Sequence, residues 1–262
     1  GAWCAKRLKV PFIADLYDHF EGFGQARIPG MKHLLRQAVC QAQLVTTTSQ
    51  PLAELVIHDY AAQAKVVSLP STVDLTTFRS GNKSNARERF GLLPNKQYIG
   101  TAGGLYKDKG VEVIYKAWEK LKHEMPNVHL VLAGPYEPDY PPPEEERVHY
   151  LGSLAHHEIS TLFQALDLGI ISILDTPFGR YCFPQKAYEM LACDLPVVVA
   201  NIGEMSYLFR DSPQVLFQTG NANDLASKIQ QQLQSPQQQS IAVEDWATII
   251  QRLEPMITAL KF

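Results

Sequence analysis

The stretch 177–200, PFGRYCFPQKAYEMLACDLPVVVA, decides how the chain folds. It reads as loop, helix, tight turn and buried strand. Pro184 suits a helix start, where its missing N–H has no intrahelical partner to lose. Lys186 and Glu189 come next and, spaced i, i+3, share one helix face. Tyr188, Leu191 and Ala192 are left to face inward. The apolar run 195–200 is too short to span a membrane and suits a strand buried on both faces of a parallel sheet. A polar loop feeding a helix N-terminus beside such a strand is where open α/β sheets hold phosphorylated ligands.

The same alternation extends upstream to residue 98. Residues 98–102 read as a strand, and 103–110 (GGLYKDKG) as a glycine- and lysine-rich loop. Val111, Ile114, Ala117, Trp118 and Leu121 mark one face of the next helix. Strands follow at 128–133 and 147–151, separated by YEPDYPPPEEE (136–146), whose consecutive prolines exclude helix and central strand. Ile159, Leu162, Phe163 and Leu166 give a helix, 168–174 a buried strand, 215–217 a last short strand and 224–233 a helix. A glutamine-rich linker then leads to a helix carrying Trp246, Ile249, Ile250, Leu253, Ile257 and Leu260, with Pro255 expected to kink it.

The first part of the chain is α/β as well. Strands are expected at 10–14, 44–46 and 65–69. A helix with Leu34, Leu35 and Val39 on one face and a Ser49-capped helix with Leu52, Leu55 and Val56 separate them. The turn-rich 80–85 (SGNKSN) lies near a domain boundary. The expected organisation is two Rossmann-like doubly wound parallel sheets facing each other: residues 1–84, incomplete, then 85–242, with 243–262 a helix returning to the first domain.

Bulk properties narrow the function. At 262 residues with 45% hydrophobic and 19% charged content, the chain is an ordinary globular one, and its formal net charge of −3 gives no basic field for nucleic acid. Cys4, Cys40, Cys182 and Cys193 form no CxxC pair, so reduced thiols in a cytoplasmic protein are expected and a zinc site is not. The adjacent His156 and His157 do not share a helix face, which argues against a two-histidine metal site. No signal peptide is read at the start. The chain begins at Gly1 and runs almost at once into a strand, as a fragment would.

Three stretches carry chemistry. In 103–110, Gly103, Gly104 and Gly110 let backbone approach a ligand, and Lys107 and Lys109 offer charge to phosphate. A βα turn with solvated lysines would look the same. In 177–189, a pyrophosphate near Phe183 and Pro184 would meet the positive end of a helix dipole, and Glu189 could accept both hydroxyls of a ribose. Lys186 could neutralise phosphate or simply pair with Glu189 on the helix surface. Asp15, Asp18 and His19 follow the first strand and are acid–base groups, groups that position an acceptor, or ordinary turn and cap residues. No Ser-His-Asp or paired-carboxylate arrangement can be assembled from spacing.

Taken together these pieces resemble a known family. Residues 70–78 (PSTVDLTTF) resemble the P-N-G-V-D-x-x-x-F linker of GT-B glycosyltransferases of family 4, and 103–110 resemble its G-x-L-x-x-x-K-G loop. Leu132-Ala133-Gly134 resembles its strand end. Residues 148–152 (VHYLG) resemble its V-x-F-L-G, and 183–199 its P-x-K-x-x-E-x-x-A-x-G-x-P-V-V segment. The resemblance covers essentially the whole chain in order.

It implies metal-independent, retaining transfer of a sugar from a UDP- or GDP-sugar to a glycan, lipid or small-molecule acceptor, with no cofactor. By position, Lys109 would meet donor phosphates, Glu189 the ribose, and backbone at Phe183 and Pro184 the pyrophosphate, with Gly134 at a neighbouring strand end. Peripheral contact with the inner face of a membrane, through an acceptor-domain start that precedes this chain, is left open. The chain departs from the pattern in four places. Gly104 stands where Arg is frequent, Tyr181 where a first carboxylate is frequent, and Asp194 where Gly is usual; the acceptor domain's first strands, with the family's active-site histidine, are missing. A non-catalytic nucleotide-sugar-binding or scaffold protein is therefore the alternative reading.

Overall fold

The computed structural model describes residues 1–20, 27–60, 62–237, 239 and 241–261. The chain divides into two compact units. The first comprises Gly1–Thr72, Thr176–Phe183 and Glu244–Phe262, and the second Val73–Asp175 and Pro184–Val243.

In the first unit, α1 (Ala2–Leu8) leads to β1 (Ile13–Leu16), α2 (Met31–Gln41), β2 (Leu44–Thr47), α3 (Gln50–His58) and β3 (Lys65–Ser68). The strands pair in parallel in the order β1-β2-β3. Ala14, Val39, Ala42, Val45, Val56 and Tyr60 form the buried cluster between sheet and helices. Ser49 caps α3 as the sequence suggested, its Oγ accepting from the Leu52 N–H at 3.3 Å. Two expectations fail here. β1 starts at Ile13 rather than at residue 10, which places Asp15 inside the strand. Leu34 is 59% exposed, so Val39, and not the whole Leu34–Leu35–Val39 stripe, anchors α2.

The second unit contains α4 (Lys83–Arg89), β4 (Gln97–Ala102), α5 (Val111–Glu124), β5 (Val128–Ala133), β6 (Val148–Tyr150), α6 (His156–Ala165) and β7 (Leu168–Ile171). The chain then makes α7 (Pro177–Tyr181), which belongs to the first unit, and returns with α8 (Lys186–Ala192), β8 (Val197–Ala200), α9 (Gly203–Leu208), β9 (Leu216–Phe217) and α10 (Ala222–Gln234). The last helix, α11 (Trp246–Thr258), lies in the first unit. All pairings are parallel, in the order β6-β5-β4-β7-β8-β9. Numbered within the unit this is the doubly wound order 3-2-1-4-5-6, whose topological switch point lies between β4 and β7.

Sequence patterning explains these elements. Every residue of β5 and β8 is buried, as strands covered by helices on both faces must be. All five residues of the expected α5 stripe are buried, and Trp118 and Leu121 are each at most 1% exposed. Burying side chains of that kind contributes about 1.5–3 kcal/mol apiece. Arg87, on α4, donates to Asp167 Oδ2 at 2.6 Å, and the same oxygen accepts the Tyr98 N–H at 2.7 Å. That charge-assisted bond ties α4 to the strands beneath it.

The deciding stretch differs in detail from its reading. Residues 177–181 are helical and not loop: Pro177 occupies the first position, and Thr176 Oγ1 accepts from the Gly179 N–H at 3.1 Å. α8 begins at Lys186, two residues after Pro184. Its buried side chains are Ala187, Tyr188 and Met190, while Leu191 and Ala192 are half-buried. Asp194 adopts φ +57°, the left-handed turn that Gly usually provides. α4 and α9 were not expected as helices. The stripe expected on α11 is mostly exposed: Ile249 is buried, but Trp246, Ile250 and Ile257 are 41–51% exposed.

Candidate functional site

The C-terminal ends of β4, β5 and β6 each run into a glycine with positive φ: Gly103 (+104°), Gly134 (+121°) and Gly152 (+66°). The backbone ladder continues through them, with the Gly103 N–H donating to the Ala133 carbonyl at 3.0 Å and the Gly134 N–H to the Gly152 carbonyl at 2.7 Å. A Cβ on Gly134 would lie 2.1 Å from the Gly103 carbonyl oxygen, so glycine is obligatory there. Of these, Gly103 exposes its backbone beside the switch point, while Gly134 is buried and Gly152 half-buried.

The loop 103–110 leads from Gly103 to the start of α5. Lys107–Lys109 make a single 3-10 turn, and Gly110, at φ +68°, starts α5. A Cβ on Gly110 would meet Ser172 Oγ at 2.3 Å; that hydroxyl donates to the Gly110 carbonyl at 3.0 Å. Ser172, just past β7, therefore pins the start of α5 across the switch point. The Lys107 side chain is exposed and that of Lys109 half-buried.

Lys186, in the first turn of α8, reaches toward Gly103. Its Nζ donates to Thr101 Oγ1 at 3.3 Å and lies 3.9 Å from where a Gly103 Cβ would be. Glu189 sits one turn further along, half-buried, and its carboxylate accepts no hydrogen bond among the described residues. Burial raises its carboxyl above the ordinary value of 4.5, and His156 and Lys186 nearby pull it back down. A desolvated carboxylate beside Lys186, with its oxygens accepting no hydrogen bond among the described residues, is a ready acceptor for hydroxyl donors.

Of the expected donor-site residues in the second unit, Gly103 lies against both Gly134 and Lys186; Gly104, Lys107, Lys109 and Gly110 follow along the loop, and Pro184 and Glu189 flank Lys186 in the chain. Phe183 ends the α7 segment assigned to the first unit. Spacing alone did not single out Thr101, Ser172 or His156. Thr101 faces the site because it is the penultimate residue of β4. Ser172 lies in a run that reads only as strand, and His156 meets Glu189 only once α6 packs on α8.

In the first unit, Asp15 accepts from Thr46 Oγ1 at 2.6 Å, across the β1–β2 pairing. His19 is buried, its ring centroid 4.5 Å from that of Tyr181. The Tyr181 carbonyl accepts from Ser49 Oγ at 2.6 Å, which fastens the end of α7 to the start of α3. Asp18 is half-buried. Thus Tyr181, standing where a carboxylate is frequent in related sequences, is a ring partner of His19. Among the described residues there is no group of three or more His, Cys, Asp or Glu side chains placed to hold a metal ion, and no helix long and apolar enough to cross a membrane.

Two parallel sheets, of which the second is doubly wound with a glycine–lysine loop at its switch point and the first, in the plain order β1-β2-β3, is not, define the class: an α/β fold of the GT-B glycosyltransferase type. Residues 96–235, more than half of the chain, match the family model described as "Glycosyl transferases group 1", and the chain belongs to that family. Similar curated proteins include D-inositol 3-phosphate glycosyltransferases. That of Mycobacterium marinum is 27% identical over 202 residues, covering 72% of this chain and 41% of its own length. That of Mycobacterium bovis is 27% identical over 189 residues, covering 67% and 38%. The chain thus spans about two fifths of these relatives. Among solved structures, Anabaena Alr3699/HepE in complex with UDP and glucose superposes with a TM-score of 0.76 at 22% identity, covering 99% of this chain and 74% of that one. Sucrose-phosphate synthase from Thermosynechococcus elongatus does so with a TM-score of 0.76 at 17% identity, covering 98% and 70%.

Proposed function

We propose that this chain forms the donor-binding part of a glycosyltransferase that moves a sugar from a nucleotide-diphosphate sugar to a glycan, lipid or small-molecule acceptor, without a metal and with retention at the anomeric carbon. The observation that carries this reading is the convergence of Lys186 and the 103–110 loop on the switch point, with the unengaged Glu189 one helical turn away. Ligands of doubly wound sheets bind at that crevice. The glycine loop accommodates phosphate oxygens close to backbone, Lys109 and Lys186 neutralise them, and Glu189 accepts the ribose hydroxyls. The backbone at Phe183 and Pro184 lies beside the pyrophosphate. The neighbouring Anabaena structures, solved with UDP and with UDP-glucose, support a uridine nucleotide as the first donor to try. We assign the second unit to the donor and the first, with Asp15, Asp18 and His19, to the acceptor side.

Calorimetry with UDP, GDP and their sugars, run in chelator, tests the site: wild type binds one of them and Lys109→Ala and Glu189→Ala bind it weakly. Unchanged affinity in both variants refutes the assignment, and loss of wild-type binding in chelator refutes metal independence. A second reading, a nucleotide-sugar-binding protein without transfer, is favoured by Gly104 and by Tyr181 being engaged with His19. Binding without sugar release or transfer to any acceptor in product analysis would favour it.

A further inference from the structure

Gly104 has no conformational need to be glycine, since its φ lies outside the left-handed range. Its surroundings explain it. A Cβ there would fall 2.3 Å from Cε2 of the Tyr106 ring and 2.7 Å from its Cδ2 and Cζ. The ring therefore rests on the bare backbone of residue 104 and fills the room from which a side chain at that position would grow. The Lys109 ammonium lies 5.9 Å from the centroid of the same ring, within reach of cation–π attraction. Tyr106 also starts the 3-10 turn that carries Lys107 and Lys109, its carbonyl accepting from the Lys109 N–H at 3.1 Å. One residue thus holds both the backbone and the charged end of Lys109. Among the described residues Lys109 has no carboxylate partner to hold it instead.

We infer that Tyr106 is a positioning residue for a nucleoside diphosphate: its ring, seated on Gly104, holds the Lys109 ammonium toward the diphosphate. This rests on the donor-site reading above. It also accounts for glycine at 104, because an arginine there would displace the ring. Lys109, on the loop, and Lys186, on α8, come from separate elements, which gives two cations for two phosphates.

The test is calorimetry on the intact protein with UDP and GDP, with uridine and guanosine added as competitors. Tyr106→Phe keeps the ring and is expected to bind like wild type. Tyr106→Leu removes the ring, and Gly104→Ala pushes it aside. Each is expected to weaken the diphosphate about two- to fivefold, the size of a solvent-accessible cation–π contact. Nucleoside affinity stays the same, and Tyr106→Leu has no further effect in a Lys109→Ala background. Gly104→Ala carries the test if Tyr106→Leu does not fold. Equal losses for nucleoside and diphosphate, or a full Tyr106→Leu loss without Lys109, overturn the inference. A diphosphate bound equally by wild type, Tyr106→Leu and Gly104→Ala overturns it while leaving the donor site standing. A wild type that binds neither diphosphate overturns both.

Discussion

The Lys186 ammonium donates to the Thr101 hydroxyl at 3.3 Å, joining the first turn of α8 to the end of β4 across 85 residues of chain. Thr101 and its neighbour Gly103 border the switch point, so this contact sets a positive charge where bare backbone is exposed. The lysine is fixed before any ligand arrives, which lowers the entropic cost of using it.

Lys186→Ala is expected to weaken nucleotide-diphosphate binding roughly tenfold, the low end for a charged hydrogen bond. Thr101→Val keeps the charge and loses only its anchor, and is expected to cost about threefold. Titration of both variants with UDP checks the order. A Thr101→Val effect as large as that of Lys186→Ala would mean that Thr101 contacts the ligand itself.

Glu189 gives a pH signature. Burial raises its carboxyl, so in the folded protein the proton is retained above the ordinary value of 4.5. In the proposed role the ionised form accepts the ribose hydroxyls, so nucleotide affinity is expected to fall as pH drops through that raised value, above the usual glutamate range. The stability sign is opposite. Between the ordinary and the raised value the folded state binds the extra proton, so this group lowers stability as pH rises through the window. Glu189→Gln is expected to abolish the affinity step and flatten that part of the stability curve. Nucleotide affinities of wild type and Glu189→Gln measured across pH decide it; parallel curves would remove Glu189 from the site.

Gly134 separates backbone requirement from side-chain chemistry. Gly134→Ala puts a methyl 2.1 Å from the Gly103 carbonyl oxygen at φ +121°. The expected loss is about 2–4 kcal/mol of stability, strain and overpacking together, by denaturant titration. Gly104→Ala is expected to cost far less, since only a surface ring must move. Equal losses would contradict the view that the strand tops are built on close backbone approach.

The order of strands and helices in the second unit was legible because buried parallel strands are near-continuous apolar runs and α5 keeps a regular stripe. The glycine loop, Lys186 and Glu189 could be proposed from sequence because their residue types match phosphate and hydroxyl chemistry. The rest depends on distant neighbours. Residues 177–181 read as loop because a five-residue helix carries no period; its Thr176 cap and Pro177 were the available signal. Leu34 and the α11 stripe were read as core because apolar spacing marks a face without saying whether anything covers it. The role of Tyr181 was out of reach. Its contact with His19 crosses the interval between β1 and α7, which no local pattern encodes.

His129 and His149 supply a prediction independent of any ligand. The two imidazoles stack at 5.2 Å between centroids on β5 and β6, with Nδ1 of His129 and Nε2 of His149 2.9 Å apart, beside the buried Tyr98 ring. Burial holds both below the ordinary histidine value of 6.5, and in His129 the charges of His149, Lys96 and Arg147 add to this against a small opposing effect of Glu146. One proton between the facing nitrogens suits the neutral pair; a second would make one ring a half-buried cation and set two N–H donors against each other. Below pH 6.5 the unfolded chain therefore binds protons that the folded one refuses, and stability falls as pH drops through that range. His149→Leu is expected to destabilise by about 1–3 kcal/mol at neutral pH, because it leaves the buried His129 ring without its partner. His129→Leu/His149→Leu removes both polar groups and is expected to be close to wild type at neutral pH, with a shallower acid limb. Urea titrations at about pH 7.5 and about pH 5.5 measure the difference. The same acid-limb slope in the double variant would assign the loss to other groups.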